Sequence, residues 1–397
     1  MSPSPSAISP PKSWDIFCRV IDNYGDIGVC WRLARQLATE HQQKVRLWVD
    51  ELDALARIWP DAQLINQQAL AGVDVRQWPA DFPTDISIAN IVIEAFACDI
   101  PAEYLRKMAD AKRVREAPIW INLEYLSAET WIEDCHKMVS IHPSTGLQKT
   151  FFFPGFTPKT GGLLRESTLF QLQDELDRTG FYSRLGISPA PDSLVISLFA
   201  YENPAISTLL STWISSSKPI YCLVPEGKIL GSINQVLGQH LQENGVYTQG
   251  SLTLKVIPFL TQLAYDQLLW ACDINFVRGE DSFVRAQWAA KPFVWHIYPQ
   301  EEDAHLVKLD AFLEHFCQPL DDHLASHLRL LWQAWNCEGD ISHHWEVLIE
   351  QLPKWQHLSR NWSLKLAQTP DLTSQLEVYC SSLQAQKSTT EKPQTAV

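Results

Sequence analysis

Apolar and polar positions along this chain switch repeatedly between two periodicities. WDIFCRVID (residues 14–22) is a run of β-branched and aromatic residues, the turn NYGDIG follows it, and in VCWRLARQLATEH Val29, Leu33 and Leu37 share one helical face. The pattern predicts strand, loop and helix in succession. It returns in KVRLWVD, ELDALARIW, VDVRQW, ISIANIVIEAF, PAEYLRKMADA and APIWINLEY. Such alternation predicts a parallel sheet covered by helices on both faces, because parallel strands need crossover connections.

STGLQKTFFFPGFTPKTGG reads as a loop of aromatics set between turn residues, and a helix is expected from Glu166 to Thr179. Alternation then restarts at DSLVISLFAYEN and continues through PIYCLVPE, SLTLKVIPFL, DINFVRGE and PFVWHIYPQ. The expected organisation is a disordered leader over 1–13, a Rossmann-like domain over 14–185, a second over 186–370, and a helix end with a disordered tail over 371–397. The fold class is α/β, two Rossmann-like domains with an interdomain cleft, the GT-B glycosyltransferase outline. Some periplasmic-binding and epimerase folds share that outline, so the fold alone does not fix the reaction.

At 397 residues the chain exceeds the roughly 250 to 300 residues at which single cores stop growing, which agrees with two domains. No run of 18 uncharged apolar residues is present, so no membrane span is expected. MSPSPSAISPPKS lacks an apolar segment behind a basic flank and does not read as an export signal. Nine scattered cysteines without a CxxC pair read as small buried hydrophobes in a reducing, cytoplasmic setting. A net charge of -14 argues against general affinity for nucleic acid.

Two loops carry the candidate chemistry. NYGDIG follows the first strand and sets Asp22 and Asp26 around Gly25 and Gly28. It lacks GxGxxG spacing, and its carboxylates would repel a pyrophosphate, so it suits a cationic or proton-donating substrate. The blander reading makes Asp26 the N-cap of a helix starting near Ile27 or Gly28, and Asp22 an ordinary turn residue.

The second loop lies in FVRGEDSFVRAQWAAKPFVWHIYPQEEDAH. A strand ending at Val277 is followed by Arg278, and Asp281 or Ser282 opens a helix whose free N–H groups suit a diphosphate. Arg278 would add a cation, Ser282 a hydroxyl, and Glu280 an acceptor for ligand hydroxyls; the alternative is a capped helix with surface charges. Tyr298 and Gln300 reach the same rim, while Phe199, Tyr201, Phe259 and Gln262 end strands as core lining or as base and sugar contacts. Walker A, GxSxG and HExxH motifs are absent, as is a DxD triplet, which favours a transfer without a divalent ion. His343 and His344 are expected to point apart on a helix, so no metal and no cofactor is expected.

FCRVIDNYGDIGVCWRLARQL, IVIEAFACDIP, NLEYLSAE, GGLLRE and FVRGEDSFVRAQWAAKPFVWHIYPQEEDAHLVKLDAF together resemble the EarP family, the bacterial protein-arginine rhamnosyltransferases of elongation factor P. The resemblance runs from about Trp14 to the C-terminal helices. It implies an inverting transfer of L-rhamnose from dTDP-β-L-rhamnose to one arginine of elongation factor P, which activates that factor for rescue of stalled ribosomes. The first domain would receive the protein and the second the nucleotide sugar. The catalytic set so implied is Asp26 as general base, with Asp22 and Glu280. The family's donor contacts fall on Phe199, Tyr201, Gln262, Arg278, Glu280, Asp281, Ser282 and Tyr298; Phe259, Gly279 and Gln300 join them as donor-binding candidates, and Asn23, Tyr24, Gly25 and Gly28 form the expected acceptor loop. Ala200 departs from the family pattern and leaves both flanking rings available. Competing readings are another nucleotide-sugar enzyme of this architecture, such as an epimerase or small-molecule glycosyltransferase, and a non-catalytic arginine-recognising module.

Overall fold

A computed structural model of the chain describes residues 11–390 apart from 23, 114–116 and 338. Most of the expected leader, the end of the expected tail and Asn23 of the acceptor loop lie outside the described residues. Fourteen strands are assigned among the described residues: β1 (Ser13–Cys18), β2 (Lys44–Val49), β3 (Gln67–Leu70), β4 (Val73–Gln77), β5 (Ile91–Ala95), β6 (Ile119–Leu123), β7 (Val139–Ile141), β8 (Gln148–Phe152), β9 (Leu194–Leu198), β10 (Ile220–Pro225), β11 (Val246–Gln249), β12 (Leu252–Ile257), β13 (Ile274–Arg278) and β14 (Phe293–His296).

They form two sheets, one ordered β3-β4-β2-β1-β5-β6-β8-β7 and the other β11-β12-β10-β9-β13-β14. The central strands β5, β6, β9 and β13 are buried on both faces, the condition that favours the continuous apolar runs IVIEA, IWINL, LVISL and INFVR. Pairing is parallel except at the edges, where β3, β7 and β11 are short antiparallel additions. The 144–162 segment is not all loop: β8 lies within it and pairs with β6, burying Phe152 in the first core. The helix expected over 166–179 is two short ones, Leu169–Asp174 and Arg178–Arg184. The second starts where the Asp177 side chain accepts from Gly180 N–H at 2.9 Å.

The apolar cores do not divide at residue 185. Phe156, Leu163, Leu169 and Phe181 already belong to the second core, while Leu164 faces the first. The last helix, Leu372–Thr390, returns to the first lobe and adds Leu372, Leu376 and Cys380 to its core. The chain therefore passes between lobes twice, and the two passages touch: Leu372 N–H donates to the Leu163 carbonyl at 3.0 Å. Gly162 lies in the left-handed region at φ +72, where a Cβ would come within 2.6 Å of the Pro370 carbonyl.

Candidate active site

Strand order reverses between β1 and β5 in one sheet and between β9 and β13 in the other. Ligand crevices in such sheets form beyond the carboxyl ends of strands at these switch points. The loops after β1, β9 and β13 meet there, face to face.

The helix after β1 begins at Gly25, with Tyr24 at its N-cap and no side-chain cap. Asp26 therefore sits inside the first turn, and the expectation that it caps the helix is corrected. Its Oδ2 accepts from the backbone N–H groups of Ile21 at 2.7 Å and Asp22 at 2.8 Å, tying down the preceding loop. Its Oδ1 accepts from the Tyr125 hydroxyl at 3.2 Å. Burial raises the Asp26 pKa above the usual aspartate value against these hydrogen bonds, and the charge of Asp22 adds to the rise. A carboxylate so placed holds a proton more readily than one in water, which suits a base.

The side chain of Asp22 reaches the opposite lobe. Its Oδ2 accepts from the Tyr201 hydroxyl at 2.6 Å, while its carbonyl accepts from Gly25 N–H at 2.7 Å. Gly279 lies against this contact at φ +63, and a Cβ there would stand 2.8 Å from Asp22 Oδ2 and 3.0 Å from the Tyr201 oxygen. Both the backbone conformation and the close approach call for glycine.

On the second lobe, β13 ends at Arg278 and the helix Asp281–Trp288 follows, with Glu280 at its N-cap. The Arg278 guanidinium lies 4.5 Å from the centre of the Phe199 ring and 4.7 Å from that of Tyr201. It is buried, yet its Nε and Nη1 find no hydrogen-bond partner among the described residues. A buried cation left without an anion is costly, and two aromatic faces only partly offset the lost water. The neighbouring His296 adds no second charge, because burial pushes its pKa down to about 3.

Other expected donor contacts are engaged within the protein. Ser282 donates to the Arg278 carbonyl and accepts from Arg278 N–H at 3.1 Å, fastening the loop. Asp281 accepts from Arg32 Nε at 2.8 Å. Gln262 Nε2 donates to the Gly28 carbonyl at 3.0 Å, and its Oε1 accepts from Arg35 at 3.3 Å. Phe259 packs on Tyr24 with ring centres 4.9 Å apart. These contacts join the lobes along the edge of the donor side. Glu280 Oε2 accepts from Leu126 N–H at 3.1 Å, and burial pushes its pKa up to about 8, with Asp26 contributing to the rise. Near neutral pH it is largely protonated.

The cleft has two chambers. One of about 610 Å³ is lined by Phe199, Tyr201, Phe259, Tyr265, Arg278 and Ser282, among others. The second, of about 800 Å³, is lined by Asp26, Tyr125, Tyr298, Gln300 and Lys308, among others. Asp22, Gly25, Gly279 and Glu280 line both. Cationic and acidic walls thus share one partition. Tyr298 is 41% exposed at the rim, edge-on to Tyr201 at 5.5 Å.

Tyr265 also lines the first chamber, and Phe96, Tyr125 and Lys308 the second, none of them among the residues expected at the site. Phe96 and Tyr125 follow the carboxyl ends of β5 and β6, so the rule that placed the other loops was the available signal. His343 and His344 do not point apart as expected: their ring centres are 5.7 Å apart and both lie 5.2 Å from that of His327. Among the described residues no group of three histidine, cysteine or acidic side chains is arranged to hold a metal ion, and no helix is long and apolar enough to cross a membrane.

Comparison with known proteins agrees with this geometry. The family described as "Elongation-Factor P (EF-P) rhamnosyltransferase EarP" matches residues 14–381. A protein-arginine rhamnosyltransferase of Pseudomonas putida is 48% identical over 372 residues, covering 92% of this chain and 97% of its own length. One from Shewanella oneidensis is 40% identical over 395 residues, covering 94% and 98%. A solved structure described as the structural basis for EarP-mediated arginine glycosylation of translation elongation factor EF-P is 37% identical, with a TM-score of 0.65 and coverage of 94% and 99%. A ugt transferase from Siraitia grosvenorii in complex with UDP, 11% identical with a TM-score of 0.50 and coverage of 94% and 99%, shares the fold. The two lobes have the GT-B arrangement, and the match from the first strand into the last helix means that the chain belongs to the EarP family.

Proposed function

We propose that the protein transfers L-rhamnose from dTDP-β-L-rhamnose, with inversion, to an arginine of elongation factor P in the cytoplasm. The modification would activate that factor for rescue of stalled ribosomes. One observation carries the chemical part of this reading: the buried Arg278, whose Nε and Nη1 have no hydrogen-bond partner among the described residues, lines one chamber, Asp26 lines the adjoining one, and Asp22 and Glu280 stand on the wall between them. A nucleoside diphosphate suits the first chamber and a guanidinium the second.

The guanidinium is a poor nucleophile, because its pKa exceeds about 12 and its lone pairs are delocalised. Asp22 would orient the cationic fork, and Asp26 would accept a proton as one guanidinium nitrogen bonds to the anomeric carbon. The bond from that carbon to the diphosphate oxygen breaks, and its electron pair leaves with dTDP. Attack from the acid side, opposite the leaving group, turns the β-linked sugar into an α-linked one. Arg278 and the N–H groups opening the Asp281–Trp288 helix would stabilise the departing diphosphate, so the step is proposed to run without a metal ion. Protonated Glu280 would donate to a sugar hydroxyl from the shared partition.

Incubation of the protein with elongation factor P and dTDP-β-L-rhamnose, followed by peptide mass spectrometry, tests the reading. A deoxyhexose increment on one arginine is expected, with an α-linkage by NMR. Asp26→Asn should bind dTDP normally and give no increment; absence of product with the unaltered protein, or near-normal turnover by the variant, overturns the assignment.

A further inference from the structure

We propose that Tyr125 is a positioning residue for this reaction, fixing the orientation of the Asp26 carboxylate through its hydroxyl. The inference rests on the role of Asp26 as base. Asp26 Oδ2 already accepts two backbone N–H groups from its own loop, so Oδ1 is the oxygen left for a substrate. The Tyr125 hydroxyl donates to that oxygen at 3.2 Å, occupying one lone pair and leaving the other.

The tyrosine is itself held. Its ring is stacked on Phe96, with centres 4.4 Å apart and planes 15° from parallel. Phe96 and Ala97 both lie in the left-handed region, at φ 57 and 52, and Phe96 N–H donates to the Leu123 carbonyl at 2.7 Å. Two consecutive non-glycine residues persist in that region only where their surroundings hold them there, and such strain gathers at functional sites. The next residue, Leu126, donates its N–H to Glu280 across the cleft. A single dipeptide after β6 therefore contacts an acid from each lobe. Core packing alone would be served by phenylalanine, whereas Tyr125 is half-buried, lines the acidic chamber and directs its hydroxyl at the base.

The titratable groups facing Asp26 or sharing its chamber are Asp22 in its own loop, Cys18 from β1, Cys30 from its helix, Tyr125, and, from the other lobe, Glu280, Tyr298 and Lys308. The two thiols are held up by their surroundings and stay neutral, and Glu280 is pushed up to about 8, so the acidic limb of activity reports on Asp26.

Tyr125→Phe keeps the stacked ring and removes only the hydroxyl. It should lower kcat by about tenfold, the worth of one hydrogen bond to a charged group. Calorimetric affinity for dTDP should be unchanged, and the acidic limb of the pH profile should move to higher pH, because the carboxylate loses a donor. Turnover within twofold of the unaltered protein with an unmoved limb overturns the proposal. If Asp26→Asn is inactive while Tyr125→Phe is normal, only this inference fails; if Asp26→Asn is active, the base assignment fails instead.

Discussion

Arg32 Nε donates to Asp281 Oδ1 at 2.8 Å, joining the first helix of one lobe to the helix that opens the donor site of the other. The pair belongs to a buried cluster in which Arg32 and Arg285 are shared among Asp266, Asp281 and Glu166. Burial disfavours charge on Arg32, yet these carboxylates outweigh it and hold the guanidinium protonated. Glu166 is held well below the usual range by Arg285 and Arg32 despite its burial. Arg32→Met would leave Asp281 buried without its cation and should destabilise the fold by about 3 to 5 kcal/mol. Arg32→Lys should recover only part, since an ammonium cannot fork between carboxylates. Urea unfolding measures both; a methionine variant as stable as the parent would contradict the assignment.

Tyr201→Phe removes the hydroxyl that donates to Asp22 across the cleft and keeps the ring beside Arg278. A hydrogen bond to a charged group contributes about 1.5 to 3 kcal/mol, so kcat/KM for transfer should fall by roughly tenfold to a hundredfold. Part of that loss should also appear as lowered stability, because the same bond joins the lobes of the folded protein. Steady-state kinetics with elongation factor P as the varied substrate would show it.

Arg278→Gln should weaken dTDP binding by about a hundredfold, because the diphosphate loses its buried cation. Arg278→Lys should not restore it, since the flat guanidinium is what stacks between Phe199 and Tyr201. Without ligand, the glutamine variant should be at least as stable as the parent, as an unpaired buried charge has been removed. Calorimetry and thermal melts give opposite signs from one substitution.

Glu280 gives a pH prediction. Burial lifts its folded pKa from 4.5 to about 8, so between those values the folded protein binds the proton more tightly than the unfolded chain. Its contribution to stability therefore declines as pH rises from about 4.5 to 8 and is level above. Glu280→Gln removes that decline. Melting temperatures compared across the range should show the variant gaining on the parent up to about pH 8, and parallel curves would contradict the raised pKa.

The alternating elements and the two loops at their carboxyl ends were legible because each is written in a contiguous stretch. NYGDIG and RGEDS each carry their own strand end, turn and helix start. Contacts between stretches were not. Arg32 meets Asp281, and Tyr201 meets Asp22, across separations that no periodicity records. Gln262 read as a possible donor contact by position and Asp281 by family resemblance, and in the fold the Gln262 amide and the Asp281 Oδ1 also bond to the opposite lobe. The strands β3, β7 and β11 escaped because edge strands of three or four residues are too short for a period to show. Asp26 escaped its true local role because an N-cap and a first-turn carboxylate differ by two residues, within the uncertainty of any helix boundary.

The adjoining passages at Leu163 and Leu372 bear on how the molecule opens. A single tether would let one lobe swivel freely over the other, but here two strands of covalent chain run side by side and are bonded to each other. Paired in this way, the two passages restrict how one lobe can turn over the other.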